Sequence, residues 1–303
     1  MAALTGFMAD RNEVVNPAGK NPCTITSNAV WEVTGPLDAM KGFPLGDRAV
    51  SKRTGTRTDP VWIRFEWASP IYMSYGGLYE TNLRQSAYCR MQGFADSDLQ
   101  VERATTRNAI GRDRRVVPSL TDPKKLRAGA PNWLRGDLDP RDEQLYPKDI
   151  HVRVPLCRVK VIVWTLWGPA AKPDGSDDTG YRIGLAWAGD GLSFVRHVGS
   201  SGEGVKSNDE RIEMPGGSVW VEPGITKRMV TIERRVVDKS LRDDLFDMAM
   251  RSGKRNPLVW LPNAKPADCF RYGGLFRRVD DHTGTYVASR YTSAKIELEG
   301  WRE

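Results

Sequence analysis

The chain has 303 residues, 40 % of them apolar, which is enough for a real core and excludes wholesale disorder. Lys and Arg number 45 against 38 Asp and Glu, a net charge of +7 spread along the chain, so a solvated surface is expected and specific nucleic-acid binding is not. Four cysteines (Cys23, Cys89, Cys157 and Cys269) form no CxxC pair and are expected to be free thiols in a reducing compartment. The N-terminus shows no signal-peptide pattern, and the longest apolar run, residues 159–167, is too short to span a membrane.

Residues 1–20 show weak periodicity and are expected to form an N-terminal arm. The first strong signal is VWIRFEW. Val61, Ile63, Phe65 and Trp67 alternate with Trp62, Arg64 and Glu66, the period of a half-buried strand. Residues 71–79 make a separate strand candidate, bounded by Pro70, in which Gly76 and Gly77 could mark a bulge. In AYCRMQGF, Ala87, Cys89, Met91 and Gly93 alternate with Tyr88, Arg90, Gln92 and Phe94. Residues 103–150 read as a long polar loop carrying one aromatic motif, PNWLRGDLDP. There Asn132, Trp133 and Arg135 are the candidate residues for stacking on a sugar or touching a partner; plugging the loop itself is an equal alternative.

RVKVIVWTLW, residues 158–167, has the β-branched and aromatic run of a strand buried on both faces. KPDGSDDTG reads as a turn rather than a calcium loop, and residues 181–187 as a further strand. The composition shifts near Gly189, and residues 199–210 read as a flexible arm. Residues 227–237 alternate as a strand. One helix follows, with Asp238 or Ser240 as N-cap, Leu241, Leu245, Met248 and Ala249 as its core stripe and Gly253 as its C′ residue. Asp243 and Asp244 sit near its N-terminus, where they favour the dipole. PLVWLP is a short strand, and residues 268–281 and 284–301 read as a hairpin.

Catalytic signals are missing. The three histidines have no metal-ligand spacing, and no nucleophile-elbow, zincin, P-loop or dinucleotide motif occurs. No enzyme, metal or cofactor is expected, and the strand tryptophans Trp67, Trp164, Trp187 and Trp260 are expected in the core.

The run from VWIRFEW through the Asn82-Leu83 turn to Arg90, Gly93 and RVKVIVWTLWG resembles a galactose-binding-like, discoidin-type jelly-roll β-sandwich. LRDDLFDMAMRSGKRNPLVWLPN, YGGLFRRV and AKIELEGW resemble the tail-tube-like domain of distal tail proteins of long-tailed bacteriophages. The resemblances imply a mainly β chain: a sandwich over 21–190, then a ring-forming domain over 191–303 with one flanking helix. They imply a structural protein of a tail tip or baseplate, made in the host cytoplasm and sited in the virion. It would form a homo-oligomeric ring, six copies most readily, contacting tail tube, hub and fibres. The alternative they leave open is a carbohydrate-binding module that contacts surface glycans.

Overall fold

A computed structural model describes residues 5–15, 21–42, 47–106, 114–116, 148–172, 175–195, 202–207, 210–213, 219–222, 224, 226–237, 239–263, 265–280, 283–288 and 291–301. The protein is mainly β with antiparallel sheets, as the alternating runs require. It divides into two units that are not contiguous in sequence. One comprises Arg11–Gly191, Asn263–Gly274 and Glu303; the other comprises Met1–Asp10, Leu192–Pro262 and Leu275–Arg302.

In the larger unit the central sheet runs Leu185–Gly189, Val61–Tyr79, Ile150–Trp167, Tyr88–Phe94, Glu102–Thr105. Cys23–Ser27 pairs with the first part of Val61–Tyr79, while Leu185–Gly189 pairs with its end. Residues 61–67 and 71–79, read as two strands, are one strand of 19 residues. The interruption is a register shift between Glu66 and Ile71 on the Ile150–Trp167 ladder. Pro70 falls inside it, where a residue without an N–H removes no ladder bond. Gly76 and Gly77 are not a bulge; they lie in register, and the second shift falls between Met73 and Tyr75. Trp67, Met40, Ile63, Phe65, Met91 and Trp164 belong to the buried core of this unit. The tryptophans expected inside, Trp67, Trp164, Trp187 and Trp260, are all buried.

The smaller unit holds a sheet in the order Leu192–Val195, Thr5–Ala9, Leu258–Leu261, Gly274–Arg278, Tyr291–Gly300, Thr226–Val237, Gly202–Ser207, with Thr283–Ala288 also pairing Tyr291–Gly300. The region read as an N-terminal arm therefore contains a sheet strand. Phe7 and Met8 are each 1 % exposed, so burial outweighs its weak sequence periodicity. Within the stretch read as a flexible arm, Gly202–Ser207 is likewise a strand, pairing residues 231 down to 226. Glu210–Glu213 then pairs residues 222 down to 219, so the two ladders nest along one hairpin.

The Lys239–Ser252 helix turns Leu245 and Met248 into the core of this unit, with Leu241 packed at its edge and Ala249 half-buried. Gly253 ends it at φ +52°, donating its N–H to Ala249 O at 2.9 Å. Asp243 and Asp244 lie in the second turn rather than the first, and Asp243 accepts from its neighbour Arg242. A second helix, Pro266–Tyr272, occupies residues read as a strand of the final hairpin. Pro266 stands at its start, where the missing N–H costs nothing. No described helix is long and apolar enough to cross a membrane.

Candidate functional site

Alternation along the central sheet of the larger unit sorts side chains onto two faces. Val61, Ile63, Phe65 and Trp67 turn inward with Cys89, Met91, Ile162, Trp164 and Leu166. Trp62, Arg64 and Glu66 face outward with Tyr88, Arg90 and Gln92. Strand register then assembles the outer face. Thr165 pairs with Trp62 on one side and with Arg90 on the other. In the next row Trp167 pairs with Tyr88, which pairs in turn with Arg115.

These rows form an aromatic and cationic patch. The Tyr88 and Trp167 rings are stacked, 5.7 Å between centroids and 5° from parallel. The Arg90 guanidinium carbon lies 5.6 Å from the Trp167 ring centroid, within range of a cation–π contact. Trp167 is buried beneath these neighbours, whereas Trp62 and Tyr88 are each 37 % exposed. The Arg115 Nη2 donates to Gln85 O at 3.2 Å. Farther along the face, Arg64 donates to Glu66 at 2.8 Å and to Ser97 O at 2.7 Å, and Gln92 donates to Glu102 at 2.7 Å. A hydrogen bond from Ser97, followed by the Arg64 charge, holds the Glu66 carboxyl below its usual range.

A second polar group surrounds Asn82. Its Nδ2 donates to Asp178 at 3.1 Å and to Gly180 O at 3.0 Å, and its Oδ1 accepts from Arg182 N at 2.8 Å. Arg182 pairs with Asp178 at 3.0 Å, and Arg84 with Asp177 at 2.9 Å. Every one of these contacts is internal, so Asn82 ties the 175–184 segment to the sheet and its surroundings hold a loop in place.

The third group is buried. The Tyr75 hydroxyl lies 2.6 Å from the Tyr79 hydroxyl and 2.7 Å from His151 Nδ1. Burial raises both phenols well above their ordinary pKa. Arg114 donates to His151 O at 2.7 Å. Burial also pushes the nearby Cys269 thiol up to about 11. Neutral, hydrogen-bonded groups of this kind satisfy one another and specify packing.

Of the residues singled out in the sequence, Asn132, Trp133 and Arg135 lie outside the described residues. The structure instead brings together Trp62, Arg90, Tyr88 and Trp167. The outward sense of Trp62, Tyr88 and Arg90 was readable from period two, whereas Trp167 lies in a run read as buried on both faces; which strands would be neighbours was not readable.

No protein-family model matches the chain, and no curated protein matches it. Solved structures do. SpGH29 matches at 7 % identity with a TM-score of 0.31, over 56 % of this chain and 27 % of that one, so this chain spans about a quarter of its length. The lectin binding domain of Lectinolysin, complexed with Lewis b, matches at 8 % identity and TM-score 0.32, over 59 % of this chain and 96 % of that one. CBM32-2 of GH31, bound to GalNAc, matches at 11 % identity and TM-score 0.30, over 55 % of this chain and 98 % of that one. The latter two are a lectin binding domain and a carbohydrate-binding module. Likenesses at this level do not by themselves define a family. None of the three is a tail protein, and the tail-tip expectation finds no support among them.

Proposed function

We propose that the protein binds carbohydrate, without catalysis, through the outer face of the central sheet of its larger unit. The observation that carries this reading is the exposed Trp62 indole and the Tyr88–Trp167 stack, held with Arg90 in adjacent rows of one rigid sheet. A flat aromatic edge on a sheet receives the C–H face of a sugar ring, and neighbouring donors fix its orientation. Sheet residues hold such geometry with little loss of side-chain entropy on binding. Glycan-array screening followed by titration calorimetry tests it. Trp62→Ala should weaken the best glycan by ~10-fold or more, the loss of about 1.4 kcal/mol or more. Unchanged affinity in Trp62→Ala would move the site elsewhere.

A further inference from the structure

Trp62 supplies the exposed indole of the platform, yet it is only the second residue of its strand, and strand ends are where ladders open most readily. On one side it pairs with Thr165. On the other, the ladder to Cys23–Ser27 has its last pair at Ser27 and Ile63, so Trp62 lies one residue past it. Two side chains complete the pairing there. The Asn28 Oδ1 accepts from Trp62 N at 2.9 Å, and its Nδ2 donates to Pro60 O at 2.9 Å. The Ser27 Oγ donates to Trp62 O at 2.7 Å and accepts from Ala29 N at 3.2 Å.

We propose, on the reading that the outer face binds sugar, that Asn28 is the positioning residue of the platform and holds Trp62 in the pose a sugar meets. Its amide takes the place of a strand residue: an acceptor and a donor in one planar group span residues 60 and 62. The use of a side chain here also governs access. Were the strand to continue, residue 28 would send a side chain up beside the indole, with Cβ atoms about 4.5–5.5 Å apart. Bonded to the backbone of Pro60 and Trp62, the Asn28 amide is turned to the strand rather than laid across the ring, which stays 37 % exposed. Asn28 therefore fixes the backbone under Trp62 without covering the indole. A pose fixed before binding removes part of the ordering cost of taking up a sugar.

The test uses the intact protein labelled with fluorotryptophan, in which the Trp62 fluorine signal is assigned by its loss in Trp62→Phe. Asn28→Ala should broaden or split the Trp62 signal and leave the other tryptophan signals in place. Asn28→Asp, which keeps the acceptor for Trp62 N, should restore a single signal. Lactose and cellobiose are then titrated as probes. Asn28→Ala should weaken the sugar that binds by ~5-fold, and Asn28→Asp should bind it within ~2-fold of the unsubstituted protein. A Trp62 signal unchanged in Asn28→Ala overturns the proposal whatever the sugars do. A changed signal at equal sugar affinity also overturns it, since the pose would then not matter to binding. Failure of both sugars to bind the unsubstituted protein counts against the platform itself, and the fluorine signal alone then decides whether Asn28 holds Trp62. Collapse of all the tryptophan signals together in Asn28→Ala and Asn28→Asp would show a requirement for folding in place of a positioning role, and overturns it as well.

Discussion

Gly77 stands opposite His151 in the ladder, and a Cβ placed on Gly77 would lie 2.5 Å from the Tyr75 hydroxyl oxygen. That oxygen is bonded to both Tyr79 and His151 and is buried, so it has nowhere to retreat. Gly77→Ala should therefore cost about 2–4 kcal/mol, combining overpacking with a broken buried network. Chemical denaturation reads this as a lower midpoint at unchanged slope. Gly202→Ala and Gly204→Ala serve as controls. A Cβ at either meets nothing within 4 Å, so each should change stability by less than about 0.5 kcal/mol. A Gly77→Ala midpoint equal to theirs would show that the tyrosine pair rearranges freely.

Asn82 should behave as a loop clamp. Asn82→Ala removes two donated bonds and one accepted bond that fasten the Asp178–Arg182 segment. The expected cost is about 2–3 kcal/mol, with new proteolytic cutting near residues 175–180 as the distinguishing sign. Asn82→Asp keeps the acceptor for Arg182 N and should recover part of the loss. Its added charge near Asp178 should keep the recovery incomplete.

Glu299 gives the smaller unit an acid sensitivity. Burial works against its ionised form, but hydrogen bonds and charge from Lys227, at 3.1 Å, and Arg277, at 3.0 Å, prevail and hold its carboxyl below the usual range. A carboxylate depressed in the folded state contributes stability above its unfolded pKa, about 4.3. That contribution is lost as pH falls through the lower folded value. Arg277 is 44 % exposed, so solvent screening limits the pair to about 1 kcal/mol. Thermal melts should show Glu299→Gln less stable than the unsubstituted protein at pH 7, with the gap closing below about pH 4. A gap that persists undiminished at pH 3 would assign the effect to packing rather than charge.

None of the four cysteines is in a disulfide, and three are buried. Burial raises the Cys23 thiol to about 12 and Cys269 to about 11, and it raises Cys157 as well. The thiolate is the reacting species, so native protein at pH 8 should react slowly with a thiol-exchange reagent, with half-buried Cys157 first. Denaturation should release all four at the rate of a free thiol. Fast reaction of Cys23 or Cys269 in the native protein would show that their surroundings open readily.

Much of the β architecture was legible because alternation is written locally. VWIRFEW and AYCRMQGF place their inward and outward residues as the structure has them, except Phe94, which was read as outward and is buried beside a register shift, and Gly253 ends its helix where its left-handed conformation allows. The Pro266–Tyr272 helix was not legible. Seven residues hold barely two turns, and their aromatic content matches a strand equally well. Neither was the platform: Trp62, Arg90 and Trp167 come from three strands, and their adjacency is a property of register rather than of any local pattern. Thr5–Ala9 escaped for a related reason, since it pairs with Leu192–Val195 and Leu258–Leu261, both far away in sequence.

That strand also sets an order of events during synthesis. Its two neighbours, Leu192–Val195 and Leu258–Leu261, emerge from the ribosome long after it does. At ~5–20 residues per second the wait is on the order of ten seconds to a minute. Throughout that time Phe7 and Met8, buried in the finished sheet, have no partner strand to cover them. Residues 11–191 can meanwhile assemble most of the larger unit, to which residues 263–274, with the Pro266–Tyr272 helix, are added later. The nascent chain thus carries an unsheltered apolar segment until Leu192–Val195 and Leu258–Leu261 have been made.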